Sequence, residues 1–360
     1  MYYFFASILP FAALAQSAHI SEFKSCKQYE IPLNVTSLNV KWALPPIKSN
    51  EDMADFNTEL GRRFGPAVNP ITPATDSETA VYTISGTFCQ PGKGGNGKTL
   101  IATPGGGYDR SYWDPPIQPE KYSFVDYAIE RGYSIFFYDR LGMASHRSSI
   151  LKGLIHEIRA GRLTGSSPSQ AILVGHSFGS LVTNAVLRSD PGSVDAAVLT
   201  GVAYYGVDGT ISTQAKQHRL ASTQNPAKWG QLDGAYHVSV DVYSTIELFF
   251  KAPFYDRKVA QWAEDNKQPT SLLEDATISI TNFTSPVFTG PVMVMSGEYD
   301  LLACEGYCPG NIEKGASAVF PASKKLVTYS QPGSGHSINL SLNATGSFEV
   351  IMSFLKESGF

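Results

Sequence analysis

Residues 171–188 constrain the fold of this chain more than any other segment. Ala171-Ile172-Leu173-Val174 is a short continuous apolar run. Gly175-His176-Ser177-Phe178-Gly179 follows it, and Leu181, Val182, Ala185 and Val186 then mark one helical face that Pro191-Gly192 stops. The first run reads as a buried strand and the last as a helix. A chain that passes from strand to helix in five residues needs small residues on either side of the turn, so that the helix passes close to the strand. The serine between them sits on a strained turn with its Oγ outward, beside the amide N–H groups and positive dipole end of the helix. In another setting the pentapeptide would be an ordinary turn. Between a strand and a helix, Ser177 is the candidate nucleophile.

The rest of the chain supplies a matching rhythm. Residues 80–88, 99–103, 134–138, 196–200, 292–296 and 326–329 read as strands, and 122–131, 148–160 and 346–356 as helices. Residues 19–75 read as irregular, interrupted by Pro45-Pro46, Pro66, Pro70 and Pro73. Alternating strands and helices imply an α/β architecture, a mostly parallel sheet with helices on both faces. The rhythm breaks between residues 200 and 292, where ten aromatics fall between Tyr204 and Trp262. We read residues 205–285 as a helical cap insertion over the sheet's C-terminal edge, where open α/β sheets bind ligands. Most of its aromatics would form its own core. The α/β core then comprises 16–204 and 286–360, with an N-terminal arm over 16–78.

Composition removes several classes. A net charge of −4 with 42% hydrophobic and 17% charged residues describes a globular chain with no basic face for nucleic acid. Gly92-Lys93-Gly94-Gly95-Asn96-Gly97-Lys98-Thr99 matches a phosphate-binding loop letter for letter. That mechanism needs a helix directly after Lys-Thr, whereas Leu100-Ile101-Ala102-Thr103 reads as a strand, so the stretch is expected to be a hairpin loop. No His, Asp and Glu cluster has metal-ligand spacing, so no metal is expected.

The N-terminus reads as a signal peptide over 1–15. It is apolar from Tyr2 to Ala15 apart from Ser7 and Pro10, with Ala13-Leu14-Ala15 ahead of Gln16. Its apolar stretch is short of the roughly 20 residues of a spanning helix, so no stable membrane anchor is expected. Four cysteines fit two disulfides in a secreted chain. Cys304-Cys308 is close enough for a local bridge and would leave Cys26-Cys89, although three pairings are open. Sequons at Asn34, Asn282, Asn339 and Asn343 would make the secreted protein a glycoprotein.

A serine nucleophile needs a base, and the base an orienting acid. After a strand–serine–helix turn these follow later in the chain, acid first. The histidines after Ser177 are His218, His237 and His336. The first two lie in the insertion. His336 lies in Pro332-Gly333-Ser334-Gly335-His336-Ser337, just past the last strand, and is the candidate base. Asp300, just past the strand at 292–296, is the leading acid, with Glu298, Glu305 and Asp208 as rivals. Two amides are expected to hold an oxyanion: that of Phe178, and that of Gly106 in Pro104-Gly105-Gly106-Gly107-Tyr108. Gly105, Gly107, Tyr108, His176, Tyr204 and Tyr205 are candidates to touch substrate.

With these residues in place the chain resembles the secreted fungal α/β-hydrolases with a cap domain, from Cys26 to the C-terminus. The resemblance is carried by Gly107-Tyr108-Asp109-Arg110-Ser111-Tyr112-Trp113-Asp114, Phe137-Tyr138-Asp139-Arg140-Leu141-Gly142 and Val174-Gly175-His176-Ser177-Phe178-Gly179-Ser180. It implies the triad Ser177, Asp300 and His336, no cofactor, and hydrolysis of an ester or lactone. Two positions depart from the family. Pro104 stands where a histidine usually opens the oxyanion loop, and Ala144 where a second glycine usually follows Gly142. The aromatic insertion points to an apolar or aromatic small-molecule substrate, handled by a monomer or homodimer. The alternative keeps the triad for a biosynthetic, non-hydrolytic step such as cyclisation, elimination or acyl transfer. A binding protein on a hydrolase scaffold is disfavoured by the intact Ser-Asp-His set.

Overall fold

The computed structural model describes residues 23–60, 69–141, 147–205, 210–278 and 282–360. The 1–15 leader, Gly142, Ala144 and Asp208 lie outside the described residues.

Eleven strands are described: β1 Lys24–Trp42, β2 Ile71–Pro91, β3 Lys98–Thr103, β4 Ser134–Tyr138, β5 Gln170–His176, β6 Ala196–Thr200, β7 Arg219–Leu220, β8 Tyr236–Val238, β9 Thr270–Ser271, β10 Val292–Gly297 and β11 Leu326–Gln331. Eight form one sheet in the order β1-β2-β4-β3-β5-β6-β10-β11. From β4 to β11 every neighbour is parallel, and β2 joins β4 antiparallel. The central strands are short, continuous apolar runs because both faces are covered. One core cluster contains Leu173, Leu199 and Val294 with Leu154 and Val186 from the helices Arg147–Arg159 and Phe178–Ser189. The other contains Val174, Val198 and Met295 with Phe124 and Phe348 from the helices Phe124–Glu130 and Ala344–Glu357. Alternation along each strand sends successive side chains to opposite clusters.

The N-terminal region corrects the sequence reading. Residues 24–42 are a strand, residues 50–60 a helix, and β2 starts at Ile71 rather than near residue 80. Ile31, Leu33 and Val35 are buried while Pro32 and Asn34 are exposed, a period of two. β1 lies at the sheet edge, where a proline in a strand is tolerated. The glycine-rich stretch also departs from expectation. It runs from β2 into β3 with no helix after it, but the two strands are not partners, since β4 lies between them. It is therefore a connection between non-neighbouring strands rather than a hairpin loop.

Between β6 and β10 the chain folds mainly as short helices, with an unexpected three-stranded antiparallel sheet β7-β8-β9. This segment packs on the loops that leave the C-terminal ends of the core strands. Gln268 N–H donates to Gly107 O at 3.0 Å, and Ser337 N–H to Phe249 O at 2.8 Å. Both expected cysteine pairs are disulfide-bonded, Cys26–Cys89 across paired positions of β1 and β2, and Cys304–Cys308 locally. Among the described residues no helix is long and apolar enough to cross a membrane.

Candidate active site

Ser177 links β5 to the helix Phe178–Ser189 with φ 52° and ψ −118°. A non-glycine residue in such a conformation is strained, and it persists only where its surroundings enforce it. Here Ser177 N–H donates to Thr200 O at 2.7 Å, and Ser180 N–H to Ser177 O at 2.8 Å. Small neighbours are obligatory. A Cβ on Gly175 would stand 2.6 Å from the Ser180 backbone, and one on Gly179 would collide with Thr103 O of β3.

His336 and Asp300 are brought in by the loops after β11 and β10. His336 Nδ1 lies 2.8 Å from both Asp300 carboxylate oxygens, and the side chains are 2% and 0% exposed. Asp300 Oδ1 also accepts from Ala303 N–H at 2.8 Å, capping the short helix after it. An acceptor at Nδ1 places the ring proton there and leaves Nε2 as the basic nitrogen. Of the rival acids, Glu298 is engaged with Gly333 N–H at 3.0 Å rather than with His336. The glycine at 335 lets this loop pass the insertion, since a Cβ there would stand 2.8 Å from the Phe250 carbonyl carbon.

The serine lies beside this pair. His176, next to Ser177, has its ring centroid 4.9 Å from that of His336. A Cβ on Gly201 would approach both rings, at 3.0 Å from His176 Nδ1 and 3.1 Å from His336 Cε1. The serine hydroxyl makes no hydrogen bond among the described residues, and the contact that is formed is Asp300–His336. In unliganded sites the nucleophile–base contact is often long.

The loop after β3 crosses over the serine. A Cβ on Gly105 would stand 3.1 Å from Ser177 Cβ, and one on Gly106 would stand 3.0 Å from the Phe178 ring. Gly105 thus borders Ser177, and Gly106 borders the side chain of Phe178, the residue after Ser177. Pro104 leaves the loop without the usual histidine, and other residues hold it. Arg140 Nη2 donates to Gly105 O at 3.0 Å, and Gln268 N–H holds Gly107 O. Arg140 is itself fixed by Glu274, which also pairs with Arg147 at 2.9 Å. All three side chains are buried, at 7%, 1% and 6% exposure. The guanidinium carbons of Arg140 and Arg147 lie 5.5 and 5.1 Å from the Phe178 ring centroid. Desolvation pulls the Arg147 pKa down to about 10, still cationic at neutral pH. Two buried cations and one anion therefore leave net positive charge beside the proposed oxyanion position.

The other candidate contacts divide. Tyr108 is buried, donates to or accepts from Ser337 Oγ at 2.7 Å, and packs on Phe249 at 5.1 Å. Phe249, from the insertion, stacks on His336 at 5.9 Å and faces Gly107, so it roofs the site. It is one of ten aromatics between Tyr204 and Trp262, with nothing local in the sequence to distinguish it. His176 is fully buried, stacked on Tyr112 at 4.4 Å, with Nδ1 3.1 Å from Thr200 Oγ1. It supports the turn from behind rather than facing a substrate. Tyr204 packs on Phe283 and Phe320 in the core, and Tyr205 is on the surface beneath Lys314. Neither is placed at the site. Asn34, Asn282 and Asn343 are exposed, but Asn339 is 1% exposed, which removes it as a sugar acceptor in the folded chain.

A cavity of about 310 Å³ is lined in part by Tyr108, Asp109, Arg140, Trp229, Tyr236 and Glu274. Its lining includes neither Ser177 nor His336, so it is separate from the reacting centre.

The alpha/beta hydrolase family model matches residues 100–344. Among solved structures, an esterase from Thermogutta terrifontis aligns at 14% identity with a TM-score of 0.53, covering 77% of this chain and 94% of that one. A putative non-heme bromoperoxidase, BpoC, from Mycobacterium tuberculosis aligns at 16% identity with a TM-score of 0.52, covering 76% and 96%. At these identities the likeness is one of fold. No curated protein sequence matches the chain.

Proposed function

The chain belongs to the alpha/beta hydrolase family, and from that premise we propose that it is a serine hydrolase cleaving a carboxylic ester or lactone of an apolar or aromatic substrate. The observation that carries this reading is the buried Asp300–His336 pair, 2.8 Å apart, beside a serine on a strained strand-to-helix turn.

In this reading Ser177 Oγ attacks the carbonyl carbon while His336 Nε2 takes the hydroxyl proton. Asp300 holds the imidazole tautomer and stabilises the imidazolium. The carbonyl oxygen becomes an oxyanion between the amides of Phe178 and Gly106, with Arg140 fixing the Gly105 peptide behind them. Collapse expels the alcohol, which receives the proton from His336. Water, deprotonated by the same nitrogen, then releases the acid from the serine ester.

Residues 205–285 act as a cap, with Phe249 as the apolar wall over His336. Two disulfides and three exposed sequons support a secreted glycoprotein, consistent with the apolar leader. The test is hydrolysis of short aryl esters by the wild type and by Ser177→Ala. Hydrolysis by the wild type that is lost in the variant is the expected outcome, and equal rates refute the assignment.

A further inference from the structure

Far along the insertion, three residues that the sequence does not mark as a group converge. His218 precedes β7, His237 lies on β8, and Asp275 lies on the helix Leu272–Ile278. One ligand-type atom from each lies within 4.8 Å of the others. The two imidazoles are 3% and 0% exposed, with centroids 4.1 Å apart.

Not every polar atom of this cluster has a protein partner among the described residues. His218 Nδ1 faces Asn57 Oδ1 at 2.9 Å, so Nδ1 carries the proton and donates it. That leaves a lone pair on His218 Nε2, which has no hydrogen-bond partner among the described residues. His237 Nε2 stands 3.0 Å from Asp275 Oδ2, and His237 Nδ1 has no hydrogen-bond partner among the described residues. Buried imidazole nitrogens without partners are costly and uncommon. Two neutral imidazoles and one carboxylate form an N2O set, which suits zinc-class cations over magnesium or calcium. The Asn57 contact is the outer hydrogen bond that usually orients a ligating histidine.

We propose that His218, His237 and Asp275 bind one divalent zinc-class cation, with water as a fourth ligand on the partly exposed Asp275 side. Tetrahedral coordination at 2.0–2.2 Å separates donors by about 3.4 Å, so small side-chain rotations close the site. The competing cation is Lys216, whose Nζ lies 3.3 Å from Asp275 Oδ2. The metal ties the residue before β7 and strand β8 to the helix Leu272–Ile278, in which Glu274, the neighbour of Asp275, holds Arg140. Its place in the fold is therefore structural, and it does not depend on the esterase reading.

The experiment uses the untagged full chain, stripped with a chelator and titrated with Zn²⁺ by calorimetry and with Co²⁺ by visible absorption. One ion per chain is expected, with the absorption of four-coordinate cobalt and a rise in Tm of about 4 °C at a hundredfold excess over Kd. Asn57→Ala should weaken binding roughly 10–100-fold, and His237→Gln by more. Lys216→Met should tighten it. Wild-type protein that binds no zinc tighter than millimolar overturns the proposal whatever the variants do. So does tight binding that is unchanged in Asn57→Ala, His237→Gln and Lys216→Met alike.

Discussion

Arg140→Lys isolates the way this chain holds its oxyanion loop. Arg140 is nearly buried and forks between Glu274 and Gly105 O. Lysine keeps the charge beside Glu274, but its compact ammonium cannot reproduce the planar fork. The loss is one charge-assisted hydrogen bond to the Gly105 carbonyl, about 1.5–3 kcal/mol. If that bond serves to keep the Gly106 amide aimed at the oxyanion, the loss falls on the transition state. At 1.36 kcal/mol per decade, kcat should drop about 10- to 150-fold with KM little changed. Because the ion pair is retained, the stability loss should stay within about 3 kcal/mol, under about 10 °C in Tm. Steady-state hydrolysis of an aryl ester, with a thermal melt on the same sample, reads both. A variant with kcat within twofold of wild type, or one that loses only KM, would refute the claim that Arg140 replaces the missing histidine at Pro104.

Three further outcomes follow from the same geometry. Asp300→Asn should lower kcat by about 10⁴ through the wrong imidazole tautomer, measured against the same ester, and a loss under tenfold would show that another acid orients His336. Phe249→Ala removes the ring over His336 and should raise KM for aryl esters about tenfold while sparing the smallest acyl esters; unchanged KM across the series would remove Phe249 from the substrate wall. Burial, then the neighbouring His336, holds His176 well below its ordinary 6.5, so the stability tied to its neutral form is complete above pH 6.5 and is lost as pH falls below it. Urea unfolding between about pH 7.5 and 5.5, with chelator present, should show a slope of up to about 1.4 kcal/mol per pH unit for this proton, reduced in His176→Asn; identical slopes would contradict the assignment.

The comparison of sequence and structure follows the range over which each signal acts. β4 and β6 fall on the residues read for them, because a short apolar run bounded by breakers is a local pattern. Ser177, Asp300 and His336 were legible for a related reason. Each follows a strand of the parallel sheet, and parallel strands deliver their loops to one edge. β1 was missed because the prolines from Pro45 to Pro73 made the whole of 19–75 read as irregular, although none of them lies within 24–42, where Ile31, Leu33 and Val35 alternate. Tyr204 was expected beside the substrate as one of the aromatics that open the insertion. Positive φ at Gly201 and at Tyr204 marks turns on the way, and the tyrosine ends in the core. The Arg140–Glu274 pair spans 134 residues, and His218, His237 and Asp275 stand 19 and 38 apart, so neither group has a local signature. Only the packing of the insertion on the core and on the N-terminal helix assembles them.

The central claim is that Ser177 is a nucleophile activated by His336. The most direct measurement is covalent labelling with a fluorophosphonate, read by intact mass and peptide mapping on wild type, Ser177→Ala and His336→Gln. One adduct per chain on Ser177, absent in Ser177→Ala and much slower in His336→Gln, is the predicted result. No adduct on the folded wild-type protein, or an adduct on another residue, would contradict it.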